Sequence, residues 1–438
     1  MNVAPTARPP WAWIALAAVA TLAALLWLGF PGFMSSDAQA QYAQALSGTY
    51  DNVHPPLMSW LWRQVAFAWP GSGGVFTLFL AAYAVGIAWL LGTCIASTWK
   101  RTLAWLAIAG WPPLLIVLCH LWKDVGFAAA LLLAAGLAAS WRMHGSRAAR
   151  IAAIALLLLA VALRHNGWPA VLPLAWVLAT PAPPRRAMLA FVALAALLAL
   201  FPSLVERALG ARHRTIWPAL ALWDLADASI RTREQLLPAS VVAPELDVAT
   251  LERWYEPWSI PSLFASNLIM LGFYNDYTPA QLADIRGAWL RAIRAHPDAY
   301  LAHRALLMRW QLAGFPVDVP SGLVYAAEYR VPEGVAPIDP PPRPARDALV
   351  AWTEAHRGGP WFWGGAYLAL ALLVLALPRA RRAAHGMAGV LALSALLYAA
   401  PLPLLAPGAE WRYVFWSALA ALLAAALAGA ELSSRRRV

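Results

Sequence analysis

The amino-acid sequence predicts an all-α integral membrane protein with about ten transmembrane helices and a mainly helical domain on one side of the membrane. Of its 438 residues, 61% are hydrophobic and only 13% are charged. Apolar runs recur towards both ends of the chain, and a helix needs about 20 apolar residues to cross roughly 30 Å of hydrocarbon. Lys and Arg gather between alternate runs, as on the cytoplasmic side of membrane proteins. Together these observations exclude a soluble core.

The apolar runs divide the chain into three parts. We predict spans near residues 11–30, 74–95, 102–120, 125–141, 150–163, 168–180, 187–205, 361–377, 387–405 and 413–430. The fifth and sixth runs are short, so we expect them to tilt little or to enter the bilayer only part way. No small-residue cleavage site closely follows the first run, which we therefore expect to be retained. The predicted parts are a transmembrane module (1–205, with the first outer loop at 31–73), an outer domain (206–360) and three C-terminal helices (361–438).

The basic residues predict the orientation. With the N-terminus inside, 14 Lys and Arg fall on cytoplasmic segments, four fall on the short outer loops and 15 fall in segment 206–360. Both termini are then cytoplasmic and the outer loops periplasmic, as in a multi-pass protein of a bacterial inner membrane. The net charge of +11 therefore reflects membrane topology, and we predict no nucleic-acid partner.

The remaining polar groups converge on the outer face. Segment 206–360 contains 17 of the 22 acidic residues, and four of the other five lie on outer loops. Ionisable groups at membrane depth usually line a cavity or pair with one another, because each costs a few kcal/mol there. The outer-loop groups are Asp37, Asp51, His54, Lys123, Asp124, Arg164, His165, Asn166, Glu410 and Arg412.

Each of these residues also has a purely structural interpretation. Asp37 suits a helix cap, since Ser36 and Gln39 have capping-box spacing and Gly48 is a plausible stop. The Lys123-Asp124 pair suits an interfacial ion pair with a snorkelling lysine. Arg164 and Arg412 suit interface anchors, and His54 and His165 suit ordinary loop histidines. Independent anchors, however, do not explain acids, bases and imidazoles on one face while the other face is almost purely basic.

Four short motifs resemble a known superfamily. An Asp in the first outer loop followed by a short helix and "HPPL" (54–57) resembles the first loop of protein O-mannosyltransferases and lipid A aminoarabinose transferases. "WKD" (122–124), "RHNG" (164–167) and "EWRY" (410–413) are similar to bacterial members of the same C-type (GT-C) membrane glycosyltransferases. Two features depart from the family: the usual acidic pair of the first loop is a single Asp37 after Ser36, and segment 206–360 does not resemble the sugar-binding or β-trefoil domains of eukaryotic relatives.

The resemblance implies a GT-C-like fold and a glycosyltransferase that uses a polyprenyl-phosphate sugar, such as an undecaprenyl-phosphate sugar, as donor. Asp37 then corresponds to the base of an inverting direct displacement, and Asp124 to an acid that shapes the site. The acceptor is a cell-envelope glycan, a glycolipid such as lipopolysaccharide, or a protein. Relatives differ in metal dependence, so we predict no cofactor, while a divalent metal held by Asp37, Asp124 and His54 stays open.

Elementary chemistry supports the same assignment. Transfer from a lipid phosphate needs a carboxylate to take the acceptor's proton and cations to hold the leaving phosphate. Arg412 is the best phosphate candidate, followed by Arg164 and Lys123, because arginine binds phosphate bidentately and stays charged in apolar surroundings. We expect His54 to bind substrate or to orient Asp37. His165, Asn166 and Glu410 complete the predicted substrate-binding set.

Segment 206–360 is predicted to consist mostly of helices and loops. The pattern at 279–310 is helical with a break at Pro297, the stretch at 337–347 is an extended Pro-rich lead, and "FYNDY" (273–277) has a composition that suits sugar stacking. The competing function is transport of a lipid-linked sugar. Transporters commonly show internal repeats and polar groups at the membrane midplane, whereas here the polar groups fall at helix ends and no repeat is evident.

Overall fold

The predicted all-α architecture is confirmed in the part of the chain that the structure describes. The computed structural model describes residues 10–180, 183–265, 269, 276–316, 318–319 and 343–433. Within these ranges there are helices and isolated β-bridges but no strand.

The helices fall into three groups along the chain. The first group is α1 (Trp11–Gly29), α2 (Ser36–Ser47), α3 (Pro56–Ala68), α4 (Gly73–Cys94), α5 (Thr98–Ala109), α6 (Pro112–Leu118), α7 (Lys123–His144), α8 (Arg147–Leu163), α9 (Trp168–Ala179) and α10 (Pro184–Ala208). The second is α11 (Trp217–Thr232), α12 (Val248–Trp254), α13 (Pro261–Ala265), α14 (Pro279–Ala295), α15 (Pro297–Ala313) and α16 (Pro344–His356). The third is α17 (Gly364–Ala376), α18 (Pro378–Arg381), α19 (Met387–Ala399), α20 (Leu402–Leu405) and α21 (Phe415–Leu432).

A helix stands at each of the ten predicted spans, but fewer are long enough to cross a membrane. Among the described residues, six helical stretches are long and apolar enough, one of them being Ala384–Leu405, which includes α19 and α20, or seven if α5 and α6 form one span. Helices α8, α9 and α17 have 17, 12 and 13 residues, less than the length a straight crossing needs. Helix α17 is therefore shorter than the span predicted at 361–377. Helices α8 and α9 lie at the fifth and sixth runs, which were expected to be short.

The membrane-spanning helices differ in the fraction of their residues that the rest of the protein buries. The central helices α4, α7 and α21 have 67%, 78% and 67% of their apolar windows buried within the protein, against 6% for α10. A Cβ on Gly86 of α4 would lie 2.6 Å from the Cβ of Leu132 on α7, so the two backbones approach closely at this glycine, as small residues allow in membrane bundles. Helix α10 therefore exposes its apolar side chains to lipid.

Helices α5 and α6 form one bent unit. Their axes differ by 61° at a short break, and Pro112 and Pro113 begin α6. Proline has no N–H to donate to the preceding turn, so the helix stops before the pair and restarts with it.

The first loop contains two helices, of which only α2 was predicted. Its N-cap is Ser35, whose side chain accepts from the Ala38 N–H at 3.4 Å, so the predicted cap at Ser36 is wrong by one residue. Asp37 therefore lies in the first turn and does not cap the helix. Gly48 ends α2 as predicted, with φ +73°, a conformation that glycine adopts without steric cost.

The outer segment is helical where it is described, as expected from its sequence. The predicted break falls at Pro297, where α15 begins directly after α14. The first part of the Pro-rich lead, residues 337–342, lies outside the described residues. Of "FYNDY", only Asp276 and Tyr277 are described. The domain boundaries remain a prediction, since α10 runs through position 205 to Ala208.

Candidate active site

Asp37 is the centre of a compact group of charged side chains. The first turn of α2 directs its carboxylate towards His54 of the same loop and towards Lys123 and Arg412 from distant parts of the chain. Its Oδ2 atom lies 2.9 Å from Nη1 of Arg412 and 3.8 Å from Nζ of Lys123, and its Oδ1 atom lies 3.7 Å from Nε2 of His54. The side chain of Asp37 remains 22% exposed, so a small group can reach it.

His54 connects Lys123 to Asp37. Nζ of Lys123 lies 2.9 Å from Nδ1 of His54. Because an ammonium group can only donate, Nδ1 accepts, and Nε2 carries the hydrogen on the side that faces Asp37. Burial and the charge of Lys123 lower the pKa of His54 to about 3, so the imidazole is neutral at pH 7.

The cations around Asp37 keep it ionised. Burial by itself raises the pKa of this carboxyl group, but the charges of Arg412 and Lys123 and the hydrogen bond from Arg412 outweigh burial. The pKa of Asp37 is therefore held well below its ordinary value. While it is paired with these cations, the Asp37 carboxylate has a low affinity for a proton and is therefore a weak base.

Arg412 is held by two carboxylates and two aromatic rings. Its guanidinium bonds to Glu410, with Nη2 3.1 Å from Oε1, as well as to Asp37. Its Cζ atom lies 5.0 Å from the ring centre of Trp122 and 5.4 Å from that of Tyr413. Tyr413 also donates to Glu410 over 3.3 Å. Stacked and paired in this way, Arg412 presents a fixed charge beside Asp37.

Asp124 and Arg164 form a separate buried ion pair. Their side chains are 1% and 3% exposed and contact each other directly. Arg164 also stacks near Tyr398 and Tyr413, at 5.4 and 5.7 Å, so the Tyr413 ring lies against both arginines. Removing one partner of such a pair leaves an uncompensated buried charge, which costs roughly 3–5 kcal/mol. Asp124 can thus shape the site, as its sequence position suggested, but an acceptor cannot reach its carboxylate without displacing Arg164.

His165 and Asn166 lie at the edge of this arrangement. Both are exposed in the turn that follows α8. His165 lies 3.2 Å from Glu206 near the end of α10. Its partner is therefore an acid outside the group around Asp37.

Asp51, the other acid of the first loop, belongs to a different network. Its Oδ1 atom accepts from Nε2 of Gln44 at 3.0 Å and from the Val53 N–H at 3.1 Å, and its Oδ2 atom lies 3.6 Å from Arg214. Asp51 therefore ties the loop to the chain that follows α10.

Asp124, one of the three metal ligands that the sequence left open, pairs with Arg164. Among the described residues, no group of three or more His, Cys, Asp or Glu side chains is arranged to hold a metal ion.

Sequence reasoning missed the aromatic and acidic residues that support the site. Trp122 stacks under Arg412, and its Nε1 donates to Ser35 over 2.9 Å. His120 stacks on Trp122 with ring centres 4.0 Å apart. Glu206 and Tyr413 were likewise unassigned. Trp122 and Tyr413 flank the charged residues inside the "WKD" and "EWRY" motifs, which is the signal that pointed to them.

The comparisons with known proteins are sparse. No family model matches the chain, and no curated protein matches it. Among solved structures, the chain is similar to that of ArnT from Cupriavidus metallidurans bound to undecaprenyl phosphate, with 13% identity and a TM-score of 0.34. The similarity covers 95% of this chain and 78% of that chain. At this level it carries no argument about activity, which depends on the site itself.

The arrangement combines two chemical capacities. Arg412 and Lys123 can hold an anionic group through charge-assisted hydrogen bonds. Asp37 lies between them and is reachable from outside, so it can accept a proton next to that anion. These residues lie at or just before helix starts: Lys123 begins α7, Asp37 lies in the first turn of α2 and Arg412 precedes α21.

Proposed function

We propose that this protein is a membrane glycosyltransferase of the GT-C type. It transfers a sugar from a polyprenyl-phosphate donor, such as an undecaprenyl-phosphate sugar, to an acceptor on the periplasmic face of a bacterial inner membrane. The acceptor is a cell-envelope glycan, a glycolipid or a protein. The observation that carries the proposal is the partly exposed carboxylate of Asp37, which lies 2.9 Å from Arg412 and 3.8 Å from Lys123.

The reaction is an inverting direct displacement. An acceptor hydroxyl oxygen attacks the anomeric carbon of the sugar while the bond from that carbon to the phosphate oxygen breaks. The bonding electron pair leaves with the phosphate oxygen, and the hydroxyl proton passes to Asp37. Arg412 and Lys123 stabilise the negative charge that develops on the leaving polyprenyl phosphate.

Donor binding activates the base in this mechanism. Without donor, Arg412 and Lys123 hold the pKa of Asp37 well below its ordinary value, which makes the carboxylate a weak base. A bound phosphate takes over part of the hydrogen bonding of Arg412 and places a negative charge near Asp37. Both effects raise the pKa of Asp37, so proton abstraction becomes effective only when a donor is present.

The bent α5–α6 unit is the feature that transport of a lipid-linked sugar would use. Transporters place ionisable groups at broken helices near the midplane. Residues 110–118, which include the bend and α6, contain no ionisable side chain. The charged groups lie instead at helix ends, which favours transfer over transport.

Asp37→Asn tests the proposal. Asn keeps the size and one acceptor of Asp but is a far poorer base. We expect purified Asp37→Asn in lipid nanodiscs to lose sugar transfer by roughly a hundredfold or more, the usual scale for loss of a general base. The measurement is sugar transfer, and release of undecaprenyl phosphate, from a panel of undecaprenyl-phosphate sugars with membrane extracts as acceptors.

Asp51→Asn is the matched control. It makes the same change in the same loop, but at an acid that pairs with Gln44 and Arg214. Transfer should persist in this variant. Near-normal turnover in Asp37→Asn refutes the role of Asp37 as base. Wild-type protein that moves lipid-linked sugar across a vesicle membrane without transferring it would establish transport.

A further inference from the structure

The loop at residues 406–411, which directly precedes Arg412, is fixed to the outer segment through its backbone. Nε2 of Gln311 donates to the Gly408 carbonyl over 2.9 Å. Nη1 of Arg304 donates to the first carbonyl of the loop over 3.0 Å. Both donors lie on α15, so one helix of the outer segment holds the loop at two points.

Two further hydrogen bonds complete this attachment. The Ala409 N–H donates to the Trp258 carbonyl over 3.0 Å, and Nε1 of Trp411 donates to the Phe362 carbonyl over 3.0 Å. The loop therefore meets α15, the segment after α12 and the turn before α17. Its backbone position depends on residues that lie outside the transmembrane module.

The two side chains on α15 are themselves fixed. Gln311 is 0% exposed and Arg304 is 4% exposed. Asp224 on α11 accepts from Nη2 of Arg304, from His303 at 2.9 Å and from Trp289 at 3.1 Å. A buried carboxylate with three donors holds the guanidinium of Arg304 in one orientation, with its Nη1 directed at the loop.

Gln311 has a buried polar atom that packing alone does not explain. Its Oε1 has no hydrogen-bond partner in the described part of the chain, and an unmet buried acceptor costs about 1–3 kcal/mol. Leu or Met would fill the same space without that cost. The contribution specific to glutamine is its hydrogen bond to Gly408.

We propose that Gln311 and Arg304 are positioning residues for the donor-phosphate site, acting through the 406–411 loop on Arg412. The guanidinium of Arg412 is shared between Asp37 and Glu410, so a shift of the loop changes its hold on both carboxylates and on an incoming phosphate. The outer segment thereby sets the geometry of the site in the transmembrane module. The identity of the phosphate ligand rests on the proposed function, whereas the positioning does not.

The experiment compares Gln311→Met with Gln235→Met. Gln235 also donates to a loop carbonyl of the outer segment, that of Leu246 at 3.1 Å, but it does not touch the 406–411 loop. Amide hydrogen exchange of peptide 406–413 and binding of undecaprenyl phosphate are measured on each full-length variant in nanodiscs. We expect Gln311→Met to speed exchange in this peptide and to weaken binding about tenfold, the scale of one hydrogen bond to a well-placed group. Gln235→Met should change neither.

Arg412→Lys separates positioning from general loosening. If Gln311 acts through Arg412, Gln311→Met should weaken undecaprenyl phosphate binding far less in the Arg412→Lys background than in wild type. Full additivity of the two changes, or unchanged exchange in peptide 406–413, overturns the proposal. Wild-type protein that does not bind undecaprenyl phosphate refutes the proposed function, while exchange still decides the positioning. Should Gln311→Met fail to fold, Arg304→Lys replaces it, since lysine keeps the charge beside Asp224 and loses the second donor arm.

Discussion

At the scale of single residues, charge neutralisation explains why a lysine and an arginine lie beside Asp37. Asp37 and Glu410 carry two negative charges, and Lys123 and Arg412 carry two positive charges, in direct contact across 2.9 to 3.8 Å. His54 adds no charge at pH 7, because its pKa is lowered to about 3. These four charges are therefore balanced, and an anionic donor must compete with the two carboxylates for Arg412.

The protonation of His54 predicts how stability depends on pH. A histidine with an ordinary pKa near 6.5 in the unfolded chain and about 3 in the folded protein binds more protons when unfolded throughout that window. Stability therefore falls as the pH drops below 6.5, with a slope of at most about 1.4 kcal/mol per pH unit from this residue. The pKa of Asp37 is lowered in the folded protein, so the stability that its ionisation contributes is lost only at a lower pH than that of the His54 effect. We expect His54→Asn to show a shallower fall in apparent melting temperature between pH 7 and 4.5, measured by tryptophan fluorescence at a fixed scan rate.

His356→Asn provides the comparison for this change. His356 is exposed at the end of α16, and its Nδ1 lies 2.8 Å from the Trp352 carbonyl one turn earlier. Its replacement should leave the acid limb of the melting curve as in wild type. An acid limb of equal steepness in His54→Asn and wild type would contradict a buried neutral histidine at this site.

At the scale of elements, the start of α2 is the part that positions the Asp37 carboxylate. The hydroxyl of Ser35 accepts from the Ala38 N–H and from Nε1 of Trp122, the residue before α7. One side chain thus caps α2 and ties it to the span that presents Lys123. Asp37 follows two residues later, so its position depends on this connection.

Ser35→Ala should therefore affect stability and turnover together. Loss of the cap and of the bond to Trp122 lowers the free energy of unfolding by about 1–2 kcal/mol. We expect turnover to fall severalfold as the first turn of α2 moves, measured with sugar transfer and denaturant unfolding on the same preparation.

Ser47→Ala makes the same substitution at the other end of α2. Its hydroxyl is exposed and bonds to Thr49, so turnover should not change. Equal effects at the two ends would show that the hydroxyl of Ser35 has no special part in placing Asp37.

At the scale of the whole molecule, the charge distribution predicts the side of the membrane on which the site lies. Fourteen basic residues fall on one set of short segments and four on the other, and the charged group around Asp37 belongs to the second set. We expect an alkaline phosphatase fusion at residue 280 to be active, which requires export, and a fusion at residue 145 to be inactive. The opposite pattern would move the site to the cytoplasm and contradict a periplasmic transferase.

The sequence by itself determined the all-α membrane class, the positions of the apolar helices and the face on which the polar residues gather. These features depend on local composition and on the cost of placing charges in hydrocarbon. Both can be assessed from one amino-acid sequence. The apolar runs did not reveal that Pro112 begins a bend within the third span or that α17 has only 13 residues.

Only the tertiary structure decided which charged groups meet. The sequence placed Asp37 and Asp124 in one group, and the fold gives them different partners: Asp37 pairs with Arg412, 375 residues away, while Asp124 pairs with Arg164. Pairing of this kind depends on the rotation and depth of packed helices, which the spacing along the chain does not fix. The same holds for Gln311 and Arg304, whose hydrogen bonds to the 406–411 loop exist only because α15 packs beside it.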